Sequence, residues 1–179
     1  MQHSCLTTRE RPGKSRRAPR LRRHRVAWAT CYRHNSFGRG HFLLIAITKA
    51  HLEQIIAHAR EAAPHECCGL IGGTGDGKAV TIYRTRNTAA DPLVTYEAAP
   101  EDLFAAQREM SARDEQLIAI YHSHPRSANP EPSATDVRLA YYPSAVYLIV
   151  GLGNDEPCVR AFRICEREGW QPIDYQIVD

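Results

Sequence analysis

The stretch "QLIAIYHSHPRSANPEPSATD", residues 116–136, decides how this chain is read. Its first nine residues are apolar and β-branched enough for a buried strand. "PRSANPEP" cannot hold regular structure, and "SATD" opens with a serine suited to cap a helix. Side chains alternate along a strand, so His122 and His124 share one face, and two imidazoles can converge on one point. Asp136 falls in the first turn of the following helix, three residues beyond Ser133. The helix start aims it back at the strand end, and the prolines limit how far the helix can wander.

Working outward, "FLLIAIT" (42–48) reads as a strand, with Thr48 placed to cap the helix "KAHLEQIIAHAREAA". Leu52, Ile55, Ile56 and Ala59 line one face of that helix, and Pro64 stops it. "ECCGLIGGTGDGKAVTIYRTRNTA" has the pattern of two strands, 66–72 and 79–86, around a turn. The turn's glycines lack the Lys-Ser/Thr ending and the following helix of a phosphate-cradling loop. "PEDLFAAQREMSARD" starts a helix at Pro100, with acids in its first turn. "SATDVRLAYY" is expected to be helical, and "AVYLIVGL", "CVRAFRI" and "QPIDYQIV" to be three short strands. Interleaved helices and strands predict an α/β sandwich with a mixed sheet over residues 42–179.

Charge separates this domain from what precedes it. Residues 1–40 carry ten arginines and one lysine against Glu10 alone, whereas the other 139 residues hold 12 bases and 19 acids. The core is mildly acidic, which argues against nucleic-acid binding. The basic segment reads as a disordered N-terminal extension without a catalytic part. An arm touching anionic partners and an arginine-rich targeting segment are the competing readings. No run reaches the roughly 18 apolar residues of a membrane span, and none resembles a secretory signal. The six cysteines are spaced unlike a disulfide framework and read as reduced thiols, which favours a cytoplasmic setting. Cys67 and Cys68 are expected to be packing residues, His51, His58 and His65 surface residues, and Tyr96 a core aromatic in preference to a residue packed near the cleft.

A zinc ion that performs hydrolysis needs three N or O ligands and an open position for water, whose pKa it lowers to about 7. His122, His124 and Asp136 supply such a set. A carboxylate outside the ligand set must then carry the proton to the leaving nitrogen. Glu66, at the start of a strongly apolar strand, is the candidate, because partial desolvation raises a carboxyl pKa. Ser133 remains as a donor to a developing oxyanion.

Glu66, "HSH" and "PSATD" together resemble the JAMM (MPN-plus) metalloprotease signature, a glutamate followed by His-Ser/Thr-His and Ser-x-x-Asp. The similarity extends to "HECCGLIGG" and covers residues 42–165, with the small prokaryotic members the most alike. It implies a cytidine-deaminase-like α/β/α fold with one zinc per chain, held by His122, His124 and Asp136. It also implies Glu66 as acid/base and Ser133 as oxyanion donor. One departure is that eight residues separate His124 from Ser133 where seven are usual, the extra one to be absorbed as a bulge. The implied function is hydrolysis of a peptide or isopeptide bond at the C-terminal tail of a ubiquitin-like or sulfur-carrier protein. The alternative is a non-catalytic binding module for such proteins. A deaminase-like zinc hydrolase would need a Pro-Cys-x-x-Cys motif, which is absent.

Overall fold

Thr48 ends the short strand β1 (Ala46–Thr48) and caps helix α1 (Lys49–Ala62), its side chain accepting from the His51 N–H at 3.1 Å. These elements open a computed structural model that describes residues 44–179. The basic segment 1–40 and the beginning of the first expected strand lie outside the described residues. After α1 come β2 (Cys68–Gly73), β3 (Ala79–Thr85), α2 (Pro100–Ala112), β4 (Gln116–His124) and α3 (Ala134–Arg138). The chain finishes with β5 (Val146–Gly151), β6 (Cys158–Cys165), β7 (Gly169–Ile173) and β8 (Gln176–Val178).

Among the described residues six strands form one mixed sheet in the order β3-β2-β4-β5-β6-β7, in which only β4 and β5 run parallel. Strand β5, "VYLIVG", is buried along its whole length, as a central strand covered on both faces must be. Helix α1 sets Leu52, Ile55 and Ala59 against Ile71, Tyr121, Leu148 and Val150 on one face. Helix α2 sets Ala106 and Met110 on the other side, with Leu70, Ile120, Ile149 and Phe162. The result is three layers, α/β/α, the architecture that the resemblance implied.

Two expected elements differ. "QPIDYQIV" is not one strand: β7 stays on β6 at the sheet edge, and β8 leaves to pair in parallel with β1. Pro172 has no N–H to give a further strand, so β7 is suited to an edge. The helix expected over 133–142 stops at Arg138, with Leu139 as its C-cap. Pro143 disfavours helical backbone at the preceding residue, and the chain continues in turns.

The phase of β4 is set by a bulge. Ile71 pairs with Ala119 and Gly72 with Leu117, so Ile118 is an extra residue, and both Ile118 and Ala119 enter the α1-side core. From Ala119 onward alternation sends Tyr121 and Ser123 toward α1, and Ile120, His122 and His124 toward α2. Tyr121 crosses directly over its register partner Gly69, where a Cβ would overlap the ring. The Tyr121 hydroxyl then reaches His58 Nδ1 at 2.9 Å. His58 is therefore a half-buried partner of the core, not the surface residue expected, and His51 is also half-buried.

Replacing Gly69 with valine is expected to cost about 1–3 kcal/mol by overpacking against Tyr121. A urea midpoint that falls with an unchanged m-value would report this, and an unchanged midpoint would contradict the packing described.

Candidate active site

Strand β4 ends with His122 fully buried and His124 partly buried, their Nε2 atoms 3.1 Å apart. Asp136 comes to them from α3, with Oδ1 3.5 Å from His122 Nε2 and Oδ2 3.3 Å from His124 Nε2. What turns the carboxylate inward is a capping box. The Ser133 N–H donates to Asp136 Oδ2 at 2.6 Å, and the Asp136 N–H donates to Ser133 Oγ at 3.1 Å. The Ser-x-x-Asp spacing thus fixes both the start of the helix and the direction of the aspartate.

The loop 125–132 between them is held flat against the end of β5. The Ser127 N–H donates to His124 O at 3.0 Å, and the Gly153 N–H to Ser127 O at 2.9 Å. A Cβ on Gly151 or Gly153 would run into the loop backbone at Ser127. Arg160 clamps the far end, donating to Pro130 O at 3.1 Å and to Glu131 Oε1 at 3.0 Å. With these ties the eighth loop residue is accommodated and Asp136 remains beside both histidines.

Burial holds the His122 imidazole below its ordinary range, which keeps it neutral, despite the opposing pull of Asp136. Burial alone would push the Asp136 carboxyl up. Hydrogen bonds from His122, His124 and the Ser133 amide outweigh it, so the group stays ionised well below the usual carboxylate range. The three residues offer ligand atoms all within 4.8 Å of one another. Zinc bonds of about 2.0–2.1 Å in a tetrahedron place ligand atoms about 3.3 Å apart. The observed separations of 3.1, 3.3 and 3.5 Å fit that ion, as do the two imidazole nitrogens and the carboxylate.

Glu66 is buried and is not one of the three convergent groups, its Oε1 lying 3.9 Å from His124 Nε2. Glu66 Oε2 is buried without a hydrogen-bond partner among the described residues. Burial pushes its carboxyl up to about 7, with His124 opposing, Asp136 adding to the rise and Arg126 opposing. A carboxyl poised there can both take and give a proton near neutrality. Ser133 is exposed and shares a cleft of about 430 Å3 with Glu66, His124, Leu93, Val94 and Arg126. Its Oγ accepts within the capping box, which leaves its O–H proton for another acceptor.

Three further residues support the site: Ser123 and Asn87, which no sequence pattern marks, and Tyr96, which takes the less favoured of its two expected places. Ser123 turns to the opposite face from the histidines. Its Oγ accepts from the Cys67 N–H at 2.9 Å, and its N–H donates to Cys67 O at 3.1 Å. It therefore clamps the residue next to Glu66 to the strand that carries the histidines. Tyr96, expected in the core, stacks on His122 with ring centroids 4.5 Å apart. Its signal was an aromatic in a turn-rich segment, where no strand pattern assigns it to a core. Asn87 donates to the Glu66 carbonyl at 2.9 Å, and nothing in its local pattern announces this.

The packing reading of the two adjacent cysteines agrees with the structure. Burial pushes the Cys67 and Cys68 thiols up to about 12 and about 11, which disfavours thiolate ligation. Among the described residues Cys67, Cys68 and Cys158 are free thiols, as the reduced reading expects of them. Among the described residues no helix is long and apolar enough to cross a membrane.

Comparisons with known proteins extend this picture. A family model described as prokaryotic homologs of the JAB domain matches residues 48–165. The desampylase of Haloferax volcanii is 40% identical over 102 residues, covering 54% of this chain and 73% of that protein. The CysO-cysteine peptidase of Mycobacterium tuberculosis is 30% identical over 129 residues, covering 72% of this chain and 88% of that one. The solution structure of a Desulfitobacterium hafniense protein, 32% identical, superimposes with a TM-score of 0.68 over 76% of this chain and 94% of that one.

Ser123→Ala is expected to cost about 1–3 kcal/mol, because the buried Cys67 N–H loses its acceptor, whereas Ser123→Thr keeps the oxygen and most of the stability. Equal denaturation midpoints for the two variants would show that the clamp contributes nothing.

Proposed function

Because the chain belongs to the family of prokaryotic homologs of the JAB domain, we propose that it is a zinc-dependent metallo-(iso)peptidase acting on the C-terminal tail of a ubiquitin-like or sulfur-carrier protein. The observation that carries this reading is the convergence of His122, His124 and Asp136, with a protonatable Glu66 beside them but outside the set. The substrate class rests on the relatives named desampylase and CysO-cysteine peptidase, whose names point to conjugates of small carrier proteins.

On this reading one zinc per chain would be held by the His122 and His124 imidazoles and the Asp136 carboxylate. When bound, zinc supplies Lewis-acid polarisation of a carbonyl and a nucleophilic water at neutral pH. The Glu66 carboxylate would take a proton from the attacking water and deliver it to the departing nitrogen, so that the amine leaves neutral. Its burial matches this double duty, since a carboxylate with the ordinary pKa of glutamate would be a weaker base toward water and would hold little of the proton near neutrality. The Ser133 hydroxyl donates to the oxygen of the tetrahedral intermediate. His122 and Asp136 are held in place by the strand end and by the capping box, so the protein makes little rearrangement during the reaction.

The substrate enters as an extended tail. Glycines at its end enter the cleft lined by Leu93 and Val94 on one side and by Pro125, Arg126 and Ser133 on the other, where larger side chains would meet Leu93, Val94 and Pro125. Main-chain pairing along a sheet edge is the general way such tails are held.

The test is cleavage of a small protein bearing a Gly-Gly tail joined to a lysine side chain or to an added cysteine. Full-length protein is expected to release the tail, to lose activity with a chelator and to recover it with zinc. Glu66→Gln is expected to lower kcat by about 10²–10⁴-fold, and Ser133→Ala by about 10²-fold. Binding of the tailed protein without cleavage, by metal-loaded wild type, would instead identify a non-catalytic binding module.

A further inference from the structure

Residues 87–98 form a loop whose stem is closed by main-chain pairs. The Ala99 N–H donates to Arg86 O at 2.9 Å and the Thr88 N–H to Glu97 O at 2.7 Å, with a bridge between Asn87 and Ala98. Inside the stem sits the Asn87 side chain. Its Oδ1 accepts from the Ala89 and Glu97 N–H groups, each at 3.0 Å. Its Nδ2 donates to Thr95 O at 3.1 Å and to Glu66 O at 2.9 Å. A primary amide has two donor hydrogens and two acceptor lone pairs, and all four are used. Two N–H partners and two C=O partners also leave no ambiguity about which end is oxygen.

The Glu66 main chain is held wholly by this loop. Its carbonyl accepts from Asn87, and its N–H donates to Pro92 O at 2.7 Å. The neighbouring Cys67 is held differently, by Ser123 on β4. The same amide therefore touches the peptide that carries Glu66 and the two residues, Thr95 and Glu97, that flank Tyr96. Tyr96 in turn stacks on His122. Leu93 and Val94, half-exposed on this loop, line the cleft beside Glu66.

We propose that Asn87 is a positioning residue that couples the cleft-wall loop 88–97 to Glu66, setting where the Glu66 carboxylate stands relative to the histidines. This rests on the acid/base reading of Glu66 given above. Without the Asn87 donors the Glu66 carbonyl and the Thr95 carbonyl lose their common partner, and the loop and the carboxylate become free to move independently. A displacement on the order of 1 Å at a proton-transfer group is worth up to about 10²-fold in rate.

Asn87→Asp separates this role from general stability. It keeps the shape and the two acceptors but replaces the donor pair with oxygen. Steady-state cleavage of the Gly-Gly-tailed protein is measured per bound zinc, together with NMR hydrogen exchange at the Glu66 and Cys67 amides. The expected result is a kcat lowered about tenfold or more with KM within about twofold. The Glu66 amide is expected to exchange about tenfold faster while the Cys67 amide keeps its protection. A wild-type value for either kcat or Glu66 exchange overturns the proposal. If wild type cleaves nothing, the failure belongs to the peptidase reading, and the exchange pattern alone decides the coupling. Should Asn87→Asp not fold, Asn87→Ala removes the same donors without adding a charge and is read in the same way.

Discussion

His122, Asp136 and Glu66 are buried side by side at the end of one strand, each no more than 5% exposed, and the rest of the structure is arranged around that burial. Taking polar and ionisable groups out of water is unfavourable unless each finds a partner. Asp136 finds two imidazoles and the Ser133 amide and stays ionised. His122 stays neutral, and Glu66 moves toward the protonated form. One buried carboxylate between two imidazole nitrogens, with a second carboxyl at 3.9 Å, is a set of charges and lone pairs that a divalent cation completes. The same groups without a cation would be a standing cost to a small domain with a few kcal/mol of margin.

Each tie around the site follows from that need for fixed geometry. The bulge at Ile118 sets the phase that sends both histidines to the α2 side. Gly69 leaves room for Tyr121 to cross the sheet and meet His58, which anchors α1 behind the strand. Gly151 and Gly153 let the loop 125–132 lie directly on the end of β5, so that the capping box at Ser133 begins where Asp136 can reach. These residues hold no part of the chemistry. They determine where the chemistry stands.

The parts of this arrangement that were legible in the sequence are those with a local cause. Alternation placed His122 and His124 on one face, and the Ser-x-x-Asp spacing announced a helix start with an inward carboxylate. Continuous apolar runs located β2, β4 and β5. The strand expected over 171–178 divides because each half finds a different neighbour, β6 or β1, a choice that no short pattern encodes. The helix after Ser133 was overextended because "LAYY" is compatible with a helix until Pro143 is weighed against it. Ser123 and Asn87 carry no local signal because their partners are 56 and 21 residues away in the chain, so only the folded register brings them to the site. The same distance hides which of its two expected places Tyr96 takes.

On the proposed reading, this pocket of nitrogen and carboxylate ligands holds one zinc. Elemental analysis of the full-length protein, purified without added metal and compared with His122→Ala, tests it most directly. Close to one zinc per chain is expected in wild type and little in a folded His122→Ala. A well-folded wild type that carries no zinc, and takes up none on titration, would contradict it.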